Sequence, residues 1–289
     1  MEPGAGPAGD GDEEEGEEGA AGGGVPREEG GVPHGAAAEY AKALVPAGKR
    51  VIDLSADFRI ADLATYEKYY GKHHAPELLG SARFVLPELT APAWKTEAKL
   101  VAAPGCYPTS ILLPLVPALK AGLVAREHIV ANSFSGVSGA GRNAKTDYLF
   151  VECNESVRAY SIPKHRHLAE IEQELRRDVT FVPHLVPLDR GILETIYVPV
   201  APGTTEADVA RVLAAAYQSS PFVRLTGGTL PEIKQVAYTN FCDIGWKVDD
   251  ARPRAVLVAV LDNLLKGAAG QAVQNLNLML GLDERTGMR

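Results

Sequence analysis

The sequence has little cysteine and no CxxC pair. Cys106, Cys153 and Cys242 stand far apart in 289 residues. An odd number so spaced suits free thiols in a reducing compartment, so a cytoplasmic protein is expected. There is no excess of positive charge. Lys and Arg total 29 against 37 Asp and Glu, a formal net charge of −8, which argues against a nucleic-acid partner. No uninterrupted apolar run is long enough to cross a bilayer, so no membrane partner is expected. The start of the chain lacks a basic region followed by an apolar core, and it is too acidic for a transit peptide. No internal repeat is visible. What remains is enough chain for one large domain or two ordinary ones.

Residues 1–31 stand apart. "GDGDEEEGEEGAAGGGVPREEGG" is acidic and Gly-rich with almost no large apolar residues. Such a segment buries too little surface to offset its ordering entropy, so it is expected to be disordered. Beyond it, "AAAEYAKALVPAG" reads as a helix ending at Gly48, and "KRVIDLS" and "KLVAAP" read as strands. Helix-strand order of this kind is the grammar of a parallel sheet. The middle of the chain differs. "EHIVANSFS", "VTFVPHLVPL", "ILETIYVPVA", "IKQVAYTNF" and "RAVLVAVLDN" read as strands, with helices near 165–176 and 205–218. The second helix opens on the capping pattern Thr205-x-x-Asp208. A mostly antiparallel sheet with helices on one face is expected. The last segment has helical spacing at Leu264, Leu265, Ala268, Ala272, Leu276 and Leu280.

Four stretches carry candidate chemistry. In "VAAPGCYPTS", Cys106 sits between a strand end and a helix start. Unpaired N–H groups and the macrodipole there favour a thiolate that attacks acyl carbon. The other reading is a buried packing residue. Pro114 and Pro117 point to a short or kinked helix. "SFSGVSGAGR" offers Gly136, Ser138, Gly139 and Gly141, then Arg142. It reads as an anion cradle or as a flexible turn, and its spacing is not that of the dinucleotide fingerprint. "PKHRHLAEIEQEL" places His165 and His167 at a helix start. Half a metal site is one reading, but no companion zinc motif is present, so no metal is assigned. An acid/base role suits a nearby thiol, and two surface histidines are the alternative. "VIDLSADFR" brings Asp53, Asp57 and Arg59 to a strand end, where Arg59 pairs with a substrate carboxylate or internally with Asp57.

Together with "PHGAAAEYA", "YGKHHAPELL", "VLPEL", "FVPHLVPLDRGILETIYV", "TNFCDIG" and "DNLLKGAAGQAVQNLNLMLG", these motifs run from about residue 32 to the end in the order found in one family. The chain resembles the N-acetyl-gamma-glutamyl-phosphate reductases of arginine biosynthesis. The resemblance implies an α/β fold. A Rossmann-type NADP-binding domain, incomplete here, is joined to an α+β catalytic domain like that of glyceraldehyde-3-phosphate dehydrogenase. The expected division is a remnant of the dinucleotide-binding domain at 32–105 and a catalytic and dimerisation domain at 106–261. A C-terminal helix at 262–289 returns to the first. The implied partners are a small acyl phosphate, NADPH and further copies of the chain as a dimer or tetramer.

The resemblance also implies roles. Cys106 forms the thioester and His167, with His165 next in line, moves the proton. Arg59 and Arg142 hold substrate carboxylate and phosphate. Ser138, Gly139, Asn263 and Asn275 lie near the cofactor, with Pro33, His34 and Gly35 at a strand end by the nicotinamide. The family's strand and Gly-rich turn, G-x-x-G-Y-x-G, are not found in residues 1–31. Weak NADPH binding by the chain as written is therefore expected. The alternatives are an inactive paralogue or fragment, or a related acyl-phosphate semialdehyde dehydrogenase.

Overall fold

The computed structural model describes residues 35–125, 127–141, 145–249 and 251–288. The acidic segment 1–31, Pro33, His34 and Arg142 lie outside the described residues.

The first part of the chain builds a small parallel sheet. Helix α1 (Ala36–Leu44) starts after Gly35, which adopts φ 86°. The Gly35 and Ala38 N–H groups donate to the Asp57 carboxylate at 3.0 Å. That carboxylate satisfies the orphan donors and complements the positive helix end. Strand β1 (Val51–Asp53), helix α2 (Leu63–Tyr70), strand β2 (Ala82–Phe84), helix α3 (Trp94–Glu97) and strand β3 (Leu100–Ala102) follow. The strand order is β1-β3-β2, all parallel.

Helix α4 (Cys106–Lys120) then runs fifteen residues straight through Pro114 and Pro117, where a short or kinked helix is expected from sequence. The Pro117 ring leaves the Leu113 carbonyl without its intrahelical donor, and the Tyr217 hydroxyl takes that carbonyl instead. Tertiary packing thus supplies what the proline removes. The rest of the chain adds strand β4 (Val130–Ser135), helix α5 (Phe150–Cys153), strand β5 (Arg158–Ala159) and helix α6 (His167–Leu175). It continues through strands β6 (Thr180–Leu185) and β7 (Ile192–Pro199), helix α7 (Glu206–Tyr217), strands β8 (Val223–Gly227), β9 (Cys242–Asp249) and β10 (Arg254–Leu261), and helix α8 (Gly270–Met279).

The seven later strands form one sheet in the order β5-β6-β4-β7-β10-β9-β8. Only β4–β6 and β8–β9 pair in parallel, so the sheet is mostly antiparallel. Burial alternates along β4, β6 and β7. Ala131, Phe181, Ile192, Ile196 and Val198 join Ile111, Leu112 and Leu115 of α4 in the main core. Helix α7 opens on the expected capping box, Thr205 and Asp208 exchanging side-chain bonds with each other's N–H. Such a cap contributes about 1 kcal/mol.

Two elements differ from the sequence reading. "IKQVAYTNF" is a 3-10 turn over Ile233–Gln235 followed by turns, not a strand. Its inward residues, Ile233 and Val236, are three apart, which is a helical and not a strand period. The strands there are β8 and β9 instead. The C-terminal helix is turned over. Leu276 and Leu280 are 45% and 60% exposed, while Gln271, Gln274, Asn275 and Asn277 are buried. The apolar spacing marks the outer face, because the inner face meets polar partners. Gln274 Nε2 donates to Glu88 at 3.0 Å and Glu284 at 2.8 Å, and Gln271 Nε2 to Thr109 at 3.2 Å.

Candidate active site

Cys106 is the first residue of α4, with Gly105 in extended conformation before it. Thr109 closes the turn by donating to the Gly105 carbonyl at 2.9 Å. The neighbourhood leaves no room for a side chain at Gly105. A Cβ there would lie 2.6 Å from His167 Nε2 and 3.0 Å from Arg59 Nη1. This is a close approach that only glycine allows. Fold packing thus brings Cys106, His167 and Arg59 from three separate motifs to one point.

Glu170, to which the sequence reading gave no role, organises that point. It is fully buried. Its Oε2 accepts the Gly105 N–H at 3.1 Å and its Oε1 meets Arg59 Nη1 at 3.1 Å. His167 Nε2 is 3.9 Å from the same Oε1. The signal was present in the sequence: Glu170 follows His167 by three residues on α6, so both project from one helix face.

The electrostatics correct one expectation. Helix position alone favours a thiolate at Cys106. In the folded chain burial dominates and pushes the thiol up to about 11, against the Tyr107 N–H and the Arg59 charge. Cys106 therefore rests as a thiol. His167 is held well below the usual histidine range by burial first, then by Arg59 and Arg166. It is neutral at pH 7, and its Nδ1 is buried with no partner. His165 is pushed down to about 3, by burial first and then by His167. Neither histidine is a surface residue. His165 packs edge-on to Tyr107, Tyr160 and Phe181, and its Nδ1 accepts the His167 N–H at 3.1 Å. Of the two, His167 is the one against Gly105. Among the described residues no three His, Cys, Asp or Glu side chains gather so as to hold a metal ion.

Arg59 is not placed as a free ligand for a substrate carboxylate. Its Nε donates to the Ala103 carbonyl at 2.8 Å, Nη2 to the Leu54 carbonyl at 2.7 Å, and Nη1 to Glu170. All three nitrogens are committed inside the protein. Its acidic partner is Glu170, not Asp57, whose carboxylate is taken by the start of α1 and by the Tyr66 hydroxyl.

The residues assigned to the cofactor fall in three places. Ser138 and Gly139 lie in a 3-10 turn, Val137–Ala140. Asn263 donates from Nδ2 to Ser138 Oγ at 3.0 Å and accepts the Gly191 N–H at 2.6 Å. The structure thus joins Ser138, Gly139 and Asn263, with the Asn263 amide spent as a latch between the turn and the segment after β10. Gly35 sits apart, at the start of α1. Asn275 is on α8, and both its Oδ1 and Nδ2 are buried without a partner. Such a donor–acceptor pair costs free energy unless a ligand amide completes it. It fits a nicotinamide carboxamide.

Two family models match the chain. Residues 31–97 match the semialdehyde dehydrogenase NAD binding domain, and residues 106–263 the semialdehyde dehydrogenase dimerisation domain. An N-acetyl-gamma-glutamyl-phosphate reductase of Akkermansia muciniphila is 50% identical over 269 residues, covering 89% of this chain and 76% of that one. Those of Alkaliphilus metalliredigens and Geobacter sulfurreducens are each 50% identical over 265 residues, with the same coverage. The chain belongs to the N-acetyl-gamma-glutamyl-phosphate reductase family. Like that family it is an oxidoreductase with a semialdehyde dehydrogenase fold. Aspartate semialdehyde dehydrogenase II of Vibrio cholerae superposes with a TM-score of 0.64 at 21% identity, covering 85% of this chain and 76% of that one. A probable aspartate-semialdehyde dehydrogenase of Pseudomonas aeruginosa gives 0.61 at 19%, covering 84% and 77%. These two likenesses establish the fold alone. No helix among the described residues is long and apolar enough to cross a membrane.

Proposed function

We propose that this reductase-family chain converts N-acetyl-L-glutamyl 5-phosphate to N-acetyl-L-glutamate 5-semialdehyde with NADPH, through a thioester on Cys106. The observation that carries the reading is the meeting of Cys106, His167 and Glu170 around Gly105. A neutral thiol beside a neutral imidazole is an acid–base pair at rest. Cys106 Sγ attacks the acyl carbon as its proton passes to His167, and the C–O bond to phosphate breaks. The imidazolium returns that proton to the departing phosphate. When bound, NADPH supplies the hydride that reduces the acyl group. Once phosphate has left, His167 takes a proton from solvent and donates it to the reduced oxygen; as the C–S bond breaks and the aldehyde leaves, that proton returns through His167 to Sγ and restores the thiol. Glu170 stabilises the passing imidazolium and fixes Gly105. Arg59 acts as a positioning residue that holds the Glu170 carboxylate in place. His165 orients the start of α6.

The remaining assignments fit this reading. Asn275 receives the nicotinamide carboxamide, and the latch of Asn263 and Ser138 shapes the cofactor side. Residues 32–105 form the dinucleotide-binding part and 106–261 the catalytic part, with 262–289 returning to the former. Helix α8 supports this division by packing on β1 and α3. Three unpaired cysteines suit the cytoplasm. A second copy covers the open face of the seven-stranded sheet. There Phe134, Val182, Leu193 and Tyr197 point away from the helices, within the region that matches a dimerisation domain.

The test is acyl-phosphate-dependent NADPH oxidation by the chain and by Cys106→Ser. Turnover that the serine variant abolishes supports the assignment. Turnover retained by Cys106→Ser removes it.

A further inference from the structure

Lys266 is fully buried, and the mechanism gives it no task. A lysine is buried in this way only when its charge is met. Its Nζ lies 2.6 Å from Glu88 Oε1 and 2.8 Å from Gln274 Oε1. Glu88 comes from the loop after β2, Gln274 from α8, and Asn240 Nδ2, just before β9, reaches Gln274 at 3.3 Å. One ammonium thus ties the parallel sheet, the catalytic sheet and the last helix together.

Lys266 is also the second residue of an unusual turn. Residues Leu265–Ala269 form a π-helical turn. The Gly267 N–H bonds to the Asp262 carbonyl at 3.0 Å and the Ala269 N–H to the Leu264 carbonyl at 3.0 Å, both five residues back. Such widened turns are rare and recur at functional sites. Here the turn is wedged between two walls. A Cβ on Gly267 would lie 2.7 Å from Cys106 Cβ, and one on Gly270 would strike Asn240 Oδ1. Glycine at both places lets the turn press against the first residue of α4. Lys266 directly precedes the first of these glycines and carries the turn's ion pair, to Glu88.

We propose that Lys266, through its buried pair with Glu88, is a positioning residue for Cys106: it holds the π turn so that Gly267 backs Cys106 Cβ, shields that side of the residue from water and keeps the thiol aimed. The proposal rests on the assignment of Cys106 as the nucleophile. Releasing the anchor lets the turn withdraw from Cys106. More water then reaches the thiol, from the side that the turn had covered, and Sγ loses its fixed direction.

Two readouts should move together in Lys266→Met. The pH midpoint for iodoacetamide labelling of Cys106 should fall from about 11 toward that of an ordinary thiol. Turnover should drop about a hundredfold, the loss expected for a misplacement of about 1 Å, with KM for the acyl phosphate little changed. Lys266→Met leaves the Glu88 carboxylate buried without its counter-charge, with the Gln274 amide still donating to it, so the double variant Lys266→Met/Glu88→Gln is measured beside it. The double variant should regain thermal stability without regaining turnover. A purely structural lysine predicts the reverse: turnover returns with stability, and the Cys106 labelling profile stays that of the unmodified chain. Either result overturns the proposal. The labelling profile does not depend on turnover, so loss of the nucleophile assignment, seen as activity in Cys106→Ser, is distinguishable from failure of this inference.

Discussion

Glu170 Oε2 accepts the Gly105 N–H at 3.1 Å while its Oε1 meets Arg59 Nη1 at the same distance. One buried carboxylate therefore ties the residue before the thiol to a cation from the end of β1. Glu170→Gln keeps the shape but leaves Arg59 buried without its counter-charge. Removing one partner of such a pair costs about 3–5 kcal/mol. The variant should unfold at markedly lower temperature in calorimetry. Turnover measured below that temperature should fall at least about tenfold, since the imidazolium loses a nearby negative charge. Unchanged melting and turnover would contradict the arrangement.

Cys106 should be the most readily alkylated of the three thiols, with a rate that climbs as pH rises toward about 11. Cys153 and Cys242 are buried. Burial raises Cys242 further still. Peptide mapping after iodoacetamide treatment reads all three at once. Faster labelling of Cys153 or Cys242 in the folded chain would count against this order.

Glu194 supplies a pH dependence of stability. It is buried on β7 and accepts from Ser133 Oγ, with Ser110 Oγ at 3.3 Å. Burial pushes its carboxyl up to about 8 from an ordinary value of 4.5, despite both hydroxyls. The folded form keeps the proton that the unfolded form releases. Its contribution is whole below pH 4.5 and is lost as pH rises toward 8, by about 1.4 kcal/mol per pH unit within that window. Glu194→Gln, neutral throughout, should flatten the fall in melting temperature between pH 5 and pH 8 and should be the more stable chain at pH 8. An equal slope in both proteins would show that another group sets it.

Asn275 should trade stability for binding. Both its amide atoms are buried and unpartnered. Asn275→Leu removes that penalty and should raise stability by about 1–2 kcal/mol. NADPH affinity, followed by calorimetric titration, should drop in the same variant. A less stable leucine variant would mean that the amide already has a partner in solution.

The open sheet face should be where copies meet. Tyr197, on the face away from the helices, is 37% exposed. Tyr197→Glu places a charge there and should shift the chain to a smaller species in sedimentation velocity, with melting of the separated protomer still cooperative. An unchanged sedimentation coefficient would place the contact elsewhere.

Local signals settled much of this protein. A Pro-Gly-Cys junction, a capping box at Thr205 and Asp208, and alternating runs such as "ILETIYVPVA" specify a helix start, a cap and a half-buried strand. They do so because each depends on neighbours within a few residues. The order of motifs was enough to suggest the family and the nucleophile. The tertiary structure decided what depends on distant partners. It gave Arg59 to Glu170 instead of a substrate, and turned the polar side of α8 inward onto Glu88, Thr109 and Glu284. It carried α4 through Pro117 by lending Leu113 the Tyr217 hydroxyl. It also kept Cys106 protonated, since burial outweighed the helix dipole that the sequence alone would credit. Charge state and hydrogen-bond partnership follow from solvent exclusion and approach in three dimensions, and neither is written in the spacing of residues along a chain.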